Sequence, residues 1–246
     1  MNLLVLQHIE CEHPGQLREY LKRDGINWHA VELDEGEQIP KLDDFDAMWV
    51  MGGPMDVWDT DEHPWLIAEK EAIRKWVLDL KKPYLGLCLG HQLLADALGG
   101  KCDKLNPPEI GVLDIELTEA GINDSIFRDM PKQQRALQWH SVQVTQPPEH
   151  CTILARSPVC ENQAMRVGDN AWSMQYHVEV EPDTVENWAA IPAYRNALIN
   201  TLGEEALPDL LESATRELDS FAANSELLYR NFMACLLYTS PSPRDS

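Results

Sequence analysis

Short, uninterrupted apolar runs separated by stretches of helical spacing dominate the first hundred residues of the chain. Residues 3–7 (Leu-Leu-Val-Leu-Gln) are compact and apolar, as a parallel strand buried on both faces requires. The pattern from Pro14 to Asp24 predicts a helix, with proline at its start, Leu17 and Leu21 one turn apart, and Gly25 as a stop. Residues 28–33 predict a second strand, and residues 47–51 (Ala-Met-Trp-Val-Met) a third that runs into Gly52-Gly53-Pro54. His63-Pro64 opens a helix to about residue 80, in which Leu66, Ile73, Trp76, Val77 and Leu80 recur at helical spacing and read as core packing. Residues 83–87 predict the fourth strand, followed by a helix to Leu98 that Gly99-Gly100 closes.

From residue 101 to about 166 the texture changes to short alternating segments, at 110–117, 138–144 and 152–155, separated by prolines and polar turns. This reads as a small antiparallel section. Residues 171–177 form a further strand-like run, and 182–203 and 204–234 read as helices; Leu207, Leu210, Leu211, Ala214, Leu218 and Phe221 mark the apolar face of the second. The order predicts an α/β domain over 1–190, with a doubly wound, mostly parallel sheet flanked by helices. A helical C-terminal extension occupies 191–234 and could cover the sheet, meet a partner or form a dimer surface. The stretch 235–246, with its Ser-Pro-Ser-Pro, resembles translated adapter sequence from library preparation and is expected to stand outside the fold.

Composition narrows the function classes. Hydrophobic residues make up 44% and charged residues 25% of 246, an ordinary globular balance. The formal charge of −21 repels phosphate backbones and anionic lipid, so neither nucleic acid nor a membrane is expected as a partner. No apolar run approaches the ~20 residues of a membrane helix, and the N-terminus lacks the basic start of a signal peptide. Six cysteines in a long chain without such a signal are read as reduced thiols in a cytoplasmic protein. There is no CxxC pair; Cys88-x-x-His91 offers two metal ligands but no compact third and fourth, so no metal and no cofactor are expected.

The chemistry centres on Gly86-Leu87-Cys88-Leu89-Gly90. A cysteine between Leu87 and Leu89 would ordinarily be core packing. Here the flanking glycines, the strand before and the helix after match the cysteine form of a nucleophile elbow. The helix N-terminus favours thiolate. A thiol nucleophile needs a base and a group to orient it. His177 follows a strand-like run, and Glu179, two positions on, shares its side of an extended chain. His91 and His140 are rival bases: His91 lies in the first turn after Cys88, and His140 has no carboxylate two positions on. The Leu89 N–H and a Gly53 N–H are candidate donors to a developing oxyanion.

Gly52-Gly53-Pro54, the cysteine motif continuing through His91-Gln92, and His177-Val178-Glu179 together resemble the class I glutamine amidotransferases, of the stand-alone, GMP-synthase-like kind, over about residues 1–190. Val178 stands where the family usually has proline. The resemblance implies a flavodoxin-like amidotransferase fold and a Cys88–His177–Glu179 triad acting on glutamine through a thioester. Gly53 and Leu89 would line the oxyanion hole. Gly52, Gln92, His140, Ser141 and Val142 would hold the substrate. It also implies ammonia delivery to a separate synthase subunit, since no P-loop or Ser-Gly-Gly nucleotide motif occurs in the chain. Two alternatives keep the same residues: a γ-glutamyl peptidase or amide hydrolase acting on a γ-glutamyl compound, and a catalytically silent binding domain.

Overall fold

A computed structural model describes residues 1–239. The four expected strands form as β1 (Asn2–Gln7), β2 (Asn27–Glu32), β3 (Ala47–Val50) and β4 (Tyr84–Leu87). Helix α1 (Leu17–Arg23) joins β1 to β2, and α2 (Trp65–Arg74, continued as a π-helix over Lys75–Leu80) joins β3 to β4. Helix α3 (Leu89–Ala97) follows β4 directly. The β-rich stretch contains β5 (Lys101–Leu117), the single-turn helix α4 (Glu119–Ile122), β6 (Gln133–Gln146), β7 (Cys151–Arg156), β8 (Ala164–Val167) and β9 (Ala171–Met174). Helices α5 (Thr184–Ala189), α6 (Pro192–Leu202) and α7 (Ala206–Thr239) come next.

The nine strands of the described residues belong to one sheet, ordered β2-β1-β3-β4-β9-β8-β7-β5-β6. Pairing is parallel from β2 to β9 and antiparallel from β9 to β6. The sheet is therefore mixed, and its antiparallel half is larger than the small section the sequence pattern predicts. The difference comes from β8, four residues with a central Arg166, too short for alternation to register. β9 also ends earlier than predicted, at Met174, because the chain bends at Gln175 and Tyr176, although the Gln175 N–H still meets the Gln163 carbonyl at 2.8 Å. His177 lies beyond the strand, on an isolated bridge to Leu137 of β6. Helix α1 starts later than Pro14 because Gly15 is left-handed (φ 47°) and the Gln16 N–H is spent on the Glu179 carbonyl, 2.9 Å away.

Strand alternation sorts the core into two faces. Leu3, Val5, Trp49, Leu85 and Trp172 face α1 and the C-terminal half of α7, whereas Leu4, Leu6, Met48, Val50 and Tyr84 face α2 and α3. A third cluster packs Ile110, Val112, Leu137 and Trp139 of β5 and β6 under Trp188, Tyr194 and Leu198, with Leu210 and Phe221 from α7. Helix α7 thus spans two clusters, and Phe232 meets Trp49 and Trp172 edge-on at 5.9 and 6.1 Å. Of the roles left open for the C-terminal helices, covering the sheet is the one seen. Cys235 and Leu236, assigned to the tail by sequence, continue the helix, and Leu236 is buried in the first cluster; residues 240–246 of that tail lie outside the described residues. No helix among the described residues is long and apolar enough to cross a membrane.

Removing the Phe232 ring tests this packing. Phe232→Ala should cost ~3–5 kcal/mol of unfolding free energy, read from the urea midpoint; a loss below about 1 kcal/mol would mean that α7 merely rests on the sheet.

Candidate active site

Cys88 sits between β4 and α3 with φ 49° and ψ −101°, outside the regions open to most side chains. Such a conformation costs of order 1–3 kcal/mol and persists only where its surroundings over-determine it. Here the Cys88 N–H donates to the Met174 carbonyl (2.8 Å) and the Gly90 N–H to Met51 (3.1 Å). Both glycines are demanded by backbone approach. A Cβ at Gly90 would overlap the Val50 carbonyl, and one at Gly86 would overlap the Gly90 carbonyl. The sulfur stands at the N-terminus of α3, beyond the carboxyl ends of β3, β4 and β9, where sites in open parallel sheets gather.

His177 and Glu179 arrive on the bent segment after β9, His177 at its isolated bridge to Leu137. The His177 Nδ1 donates to Glu179 Oε1 at 2.7 Å, and the other carboxylate oxygen accepts the Val178 N–H at 2.8 Å. This fixes a ring proton on Nδ1 and leaves Nε2 without a carboxylate partner among the described residues. Burial pulls the imidazole pKa down, but the Glu179 charge and the Cys88 sulfur outweigh it and hold His177 well above its ordinary value. The Trp188 indole packs edge-on against the ring, 4.3 Å between centroids. The Glu179 carbonyl is gripped by Gln16, and a Cβ at Gly15 would run into it.

Gly53, Cys88, Leu89, Gln92, His140, Ser141 and Val142 line one cavity, together with Met55, Asp56, Trp139 and, beyond residue 190, Ala193, Tyr194 and Ala197 of α6. Among the described residues neither the Gly53 nor the Leu89 N–H has a protein acceptor. Gln92 Nε2 donates to the Val142 carbonyl (3.3 Å) and to Gln175 Oε1 (3.2 Å), and Gln175 Nε2 reaches Cys88 Sγ at 3.7 Å. Gly52 stands one step back from the cavity, with its carbonyl turned to His8. Neither rival base is free for the sulfur. His91 points into the core, with Nδ1 2.9 Å from Ser173 Oγ, and burial with the neighbouring His140 charge depresses its pKa to about 3. His140 does have a carboxylate, though not the near-sequence one sought: Glu109 of β5 lies 3.0 Å from its Nε2, while Nδ1 donates to the Val142 carbonyl at 2.9 Å.

Sequence reasoning missed several buried polar groups. Glu12 accepts a hydrogen bond from Tyr194 and lies against Gly52, and burial raises its pKa despite the pull of His177 and Tyr194. Its position in the loop after β1, at a strand's carboxyl end, was the available signal. Glu12, His177 and Glu179 bring their donor atoms within 4.8 Å of one another and are the three-residue group among the described residues that could hold a cation. The Cys88-x-x-His91 pair is not part of it, because His91 faces the other way.

The family model for class I glutamine amidotransferases matches residues 12–188. The chain is 31% identical over 170 residues to one subunit of the glutamine-hydrolysing GMP synthase of Sulfolobus acidocaldarius, covering 68% of this chain and 86% of that protein. It is 30% identical over 168 residues to the glutamine-hydrolysing GMP synthase of Aeropyrum pernix, of which the match spans only 30%. The crystal structure of a glutamine amidotransferase from Thermotoga maritima superposes with a TM-score of 0.82 at 27% identity, covering 94% of this chain and 98% of that one.

The buried neutral His91 makes a pH prediction. An unfolded histidine binds a proton near pH 6.5, whereas His91 in the fold does so only near 3. Between those values the unfolded state holds the extra proton, so stability falls as pH falls, by up to about 1.4 kcal/mol per pH unit from this group. His91→Asn, which keeps a polar atom facing Ser173, should flatten the acid limb of unfolding free energy against pH by up to one proton. Identical slopes for the two proteins would refute the depressed value.

Proposed function

The chain belongs to the class I glutamine amidotransferases, and on that footing we propose that it hydrolyses the side-chain amide of glutamine to glutamate and ammonia. The observation that carries the proposal is a convergence in one cavity. A cysteine on a strained elbow and two amide N–H groups without acceptors line it, and the buried histidine on which the cysteine acts electrostatically is held 2.7 Å from a buried carboxylate.

In this reading Cys88 Sγ attacks the amide carbon, and the carbonyl electron pair moves to oxygen, where the Gly53 and Leu89 N–H groups hold it. The His177 imidazolium gives its Nε2 proton to the nitrogen, the C–N bond breaks, and ammonia leaves a γ-glutamyl thioester on Cys88. A water then attacks the thioester carbon, giving a proton to His177, and the C–S bond breaks to return the thiolate and release glutamate. Glu179 keeps the His177 tautomer correct through both half-reactions and favours its charged form. Gln92, with the backbone at His140, Ser141 and Val142, positions the glutamyl chain. Likeness to a separate GMP synthase subunit, and to a minor part of a longer GMP synthase, supports delivery of the ammonia to a synthase on another chain.

Cys88→Ala should reduce glutamate release to background, and Glu179→Gln should lower kcat by about 10²–10⁴-fold while leaving the fold intact. Steady-state assay with glutamine and with γ-glutamyl peptides checks both points. Full activity in Cys88→Ala would sink the assignment, and turnover confined to the peptides would move the substrate from free glutamine to a γ-glutamyl compound.

A further inference from the structure

The peptide between Gly52 and Gly53 has a buried support that the triad does not use. His8, directly after β1, and Glu69, in the middle of α2, are both fully enclosed. His8 Nδ1 lies 2.7 Å from the Gly52 carbonyl oxygen, and Nε2 lies 2.9 Å from Glu69 Oε1. The Trp65 ring stacks on the imidazole, 5.5 Å between centroids and 16° from parallel. The His8 side chain also packs so tightly on Gly53 that a Cβ there would overlap it.

A carbonyl oxygen only accepts, so Nδ1 carries a proton and donates it to Gly52. The second contact then requires one proton between Nε2 and the Glu69 carboxylate. Burial alone would pull the His8 pKa down, yet Glu69 and the Gly52 carbonyl raise it overall. In a planar trans peptide the C=O and N–H point to opposite sides. With its oxygen drawn to His8, the peptide turns the Gly53 N–H away from His8, to the side where Gly53, Cys88 and Leu89 share the cavity. A Gly-Gly peptide has no Cβ to resist rotation. Flipped, it would present a carbonyl oxygen where an oxyanion must be stabilised. A carboxylate buried in the middle of a helix is costly unless it is paired, and this one is paired to His8.

We infer that His8 and Glu69 are positioning residues, a second histidine–carboxylate pair that locks the Gly52–Gly53 peptide with its N–H toward Cys88. The inference rests on reading the site as one that stabilises an oxyanion. It assigns the two Glu–His pairs parallel tasks: Glu179 orients the base through His177, and Glu69 orients the oxyanion donor through His8.

Three variants test it: His8→Ala, His8→Asn, whose amide N–H stands where Nδ1 stood, and Glu69→Gln, which keeps the side-chain volume. Crystal structures should show the Gly52 carbonyl rotated into the cavity in His8→Ala and in native orientation in His8→Asn. In glutamate release, His8→Ala should lose about 10²–10³-fold in kcat with KM changed by less than about threefold. His8→Asn should recover at least about tenfold of that loss, and Glu69→Gln should lie about 10-fold below wild type. A native peptide orientation in His8→Ala, or a kcat equal to wild type, overturns the inference. If His8→Ala does not fold, an unchanged kcat in Glu69→Gln overturns it. A wild-type protein that releases no glutamate overturns the reading of the site instead, and the peptide orientation in the His8 variants still decides the clamp.

Discussion

The approach of helix α3 to the end of β3 governs the geometry of the whole site. Gly90 lies with no room for a Cβ against the Val50 carbonyl, and its N–H bonds Met51, so helix α3 and the Gly52-Gly53 turn are joined backbone to backbone. That contact drives Cys88 into its strained conformation and aligns the free N–H of Leu89 with that of Gly53 along one cavity. Side chains bend and re-pack at modest cost, whereas backbone in van der Waals contact does not yield.

Around this rigid join the protein buries polar groups in pairs. His177 with Glu179, His8 with Glu69, and His140 with Glu109 are each enclosed, and each histidine contributes a second contact: to Cys88, to the Gly52 carbonyl and to the Val142 carbonyl respectively. An unpaired charge in such places would be expensive, and the partners fix where the ring protons sit: Glu179 holds the proton on His177 Nδ1, whereas in His8 and His140 the backbone carbonyl does so and the carboxylate faces Nε2. Glu12 is the exception, because its partner is the Tyr194 hydroxyl and burial pushes its pKa up. It ties α6 to the His177–Glu179 pair and makes a helix outside the 12–188 match part of the cavity wall.

Much of this was legible in sequence, for a reason that differs element by element. The parallel strands read clearly because burial on both faces demands unbroken apolar runs, and residues 3–7, 47–51 and 83–87 supply them. The elbow read clearly because Gly86 and Gly90 are spaced for a turn that few sequences contain by chance. β8 did not register, since four residues with a central arginine show neither run nor alternation. β9 is shorter than the apolar pattern predicts, because the chain bends at Gln175, Tyr176 and Val178 while these side chains stay buried. The covering role of α7 could not be chosen, since an amphipathic stripe states that a face is buried and leaves open what buries it.

Local sequence was enough for the parallel half of the sheet, the turn that carries Cys88, and the pairing of His177 with Glu179, because each is set by residues within a few positions of one another. The long-range partners came from tertiary packing alone. It brought His177 to Cys88 across the sheet order, turned His91 inward to Ser173, gave His140 its carboxylate from β5, and placed His8 between Gly52 and Glu69, residues 44 and 61 positions away. Those choices depend on which strands are neighbours and which face each side chain takes, and hydrophobic periodicity is silent about polar groups that are buried because they have found one another.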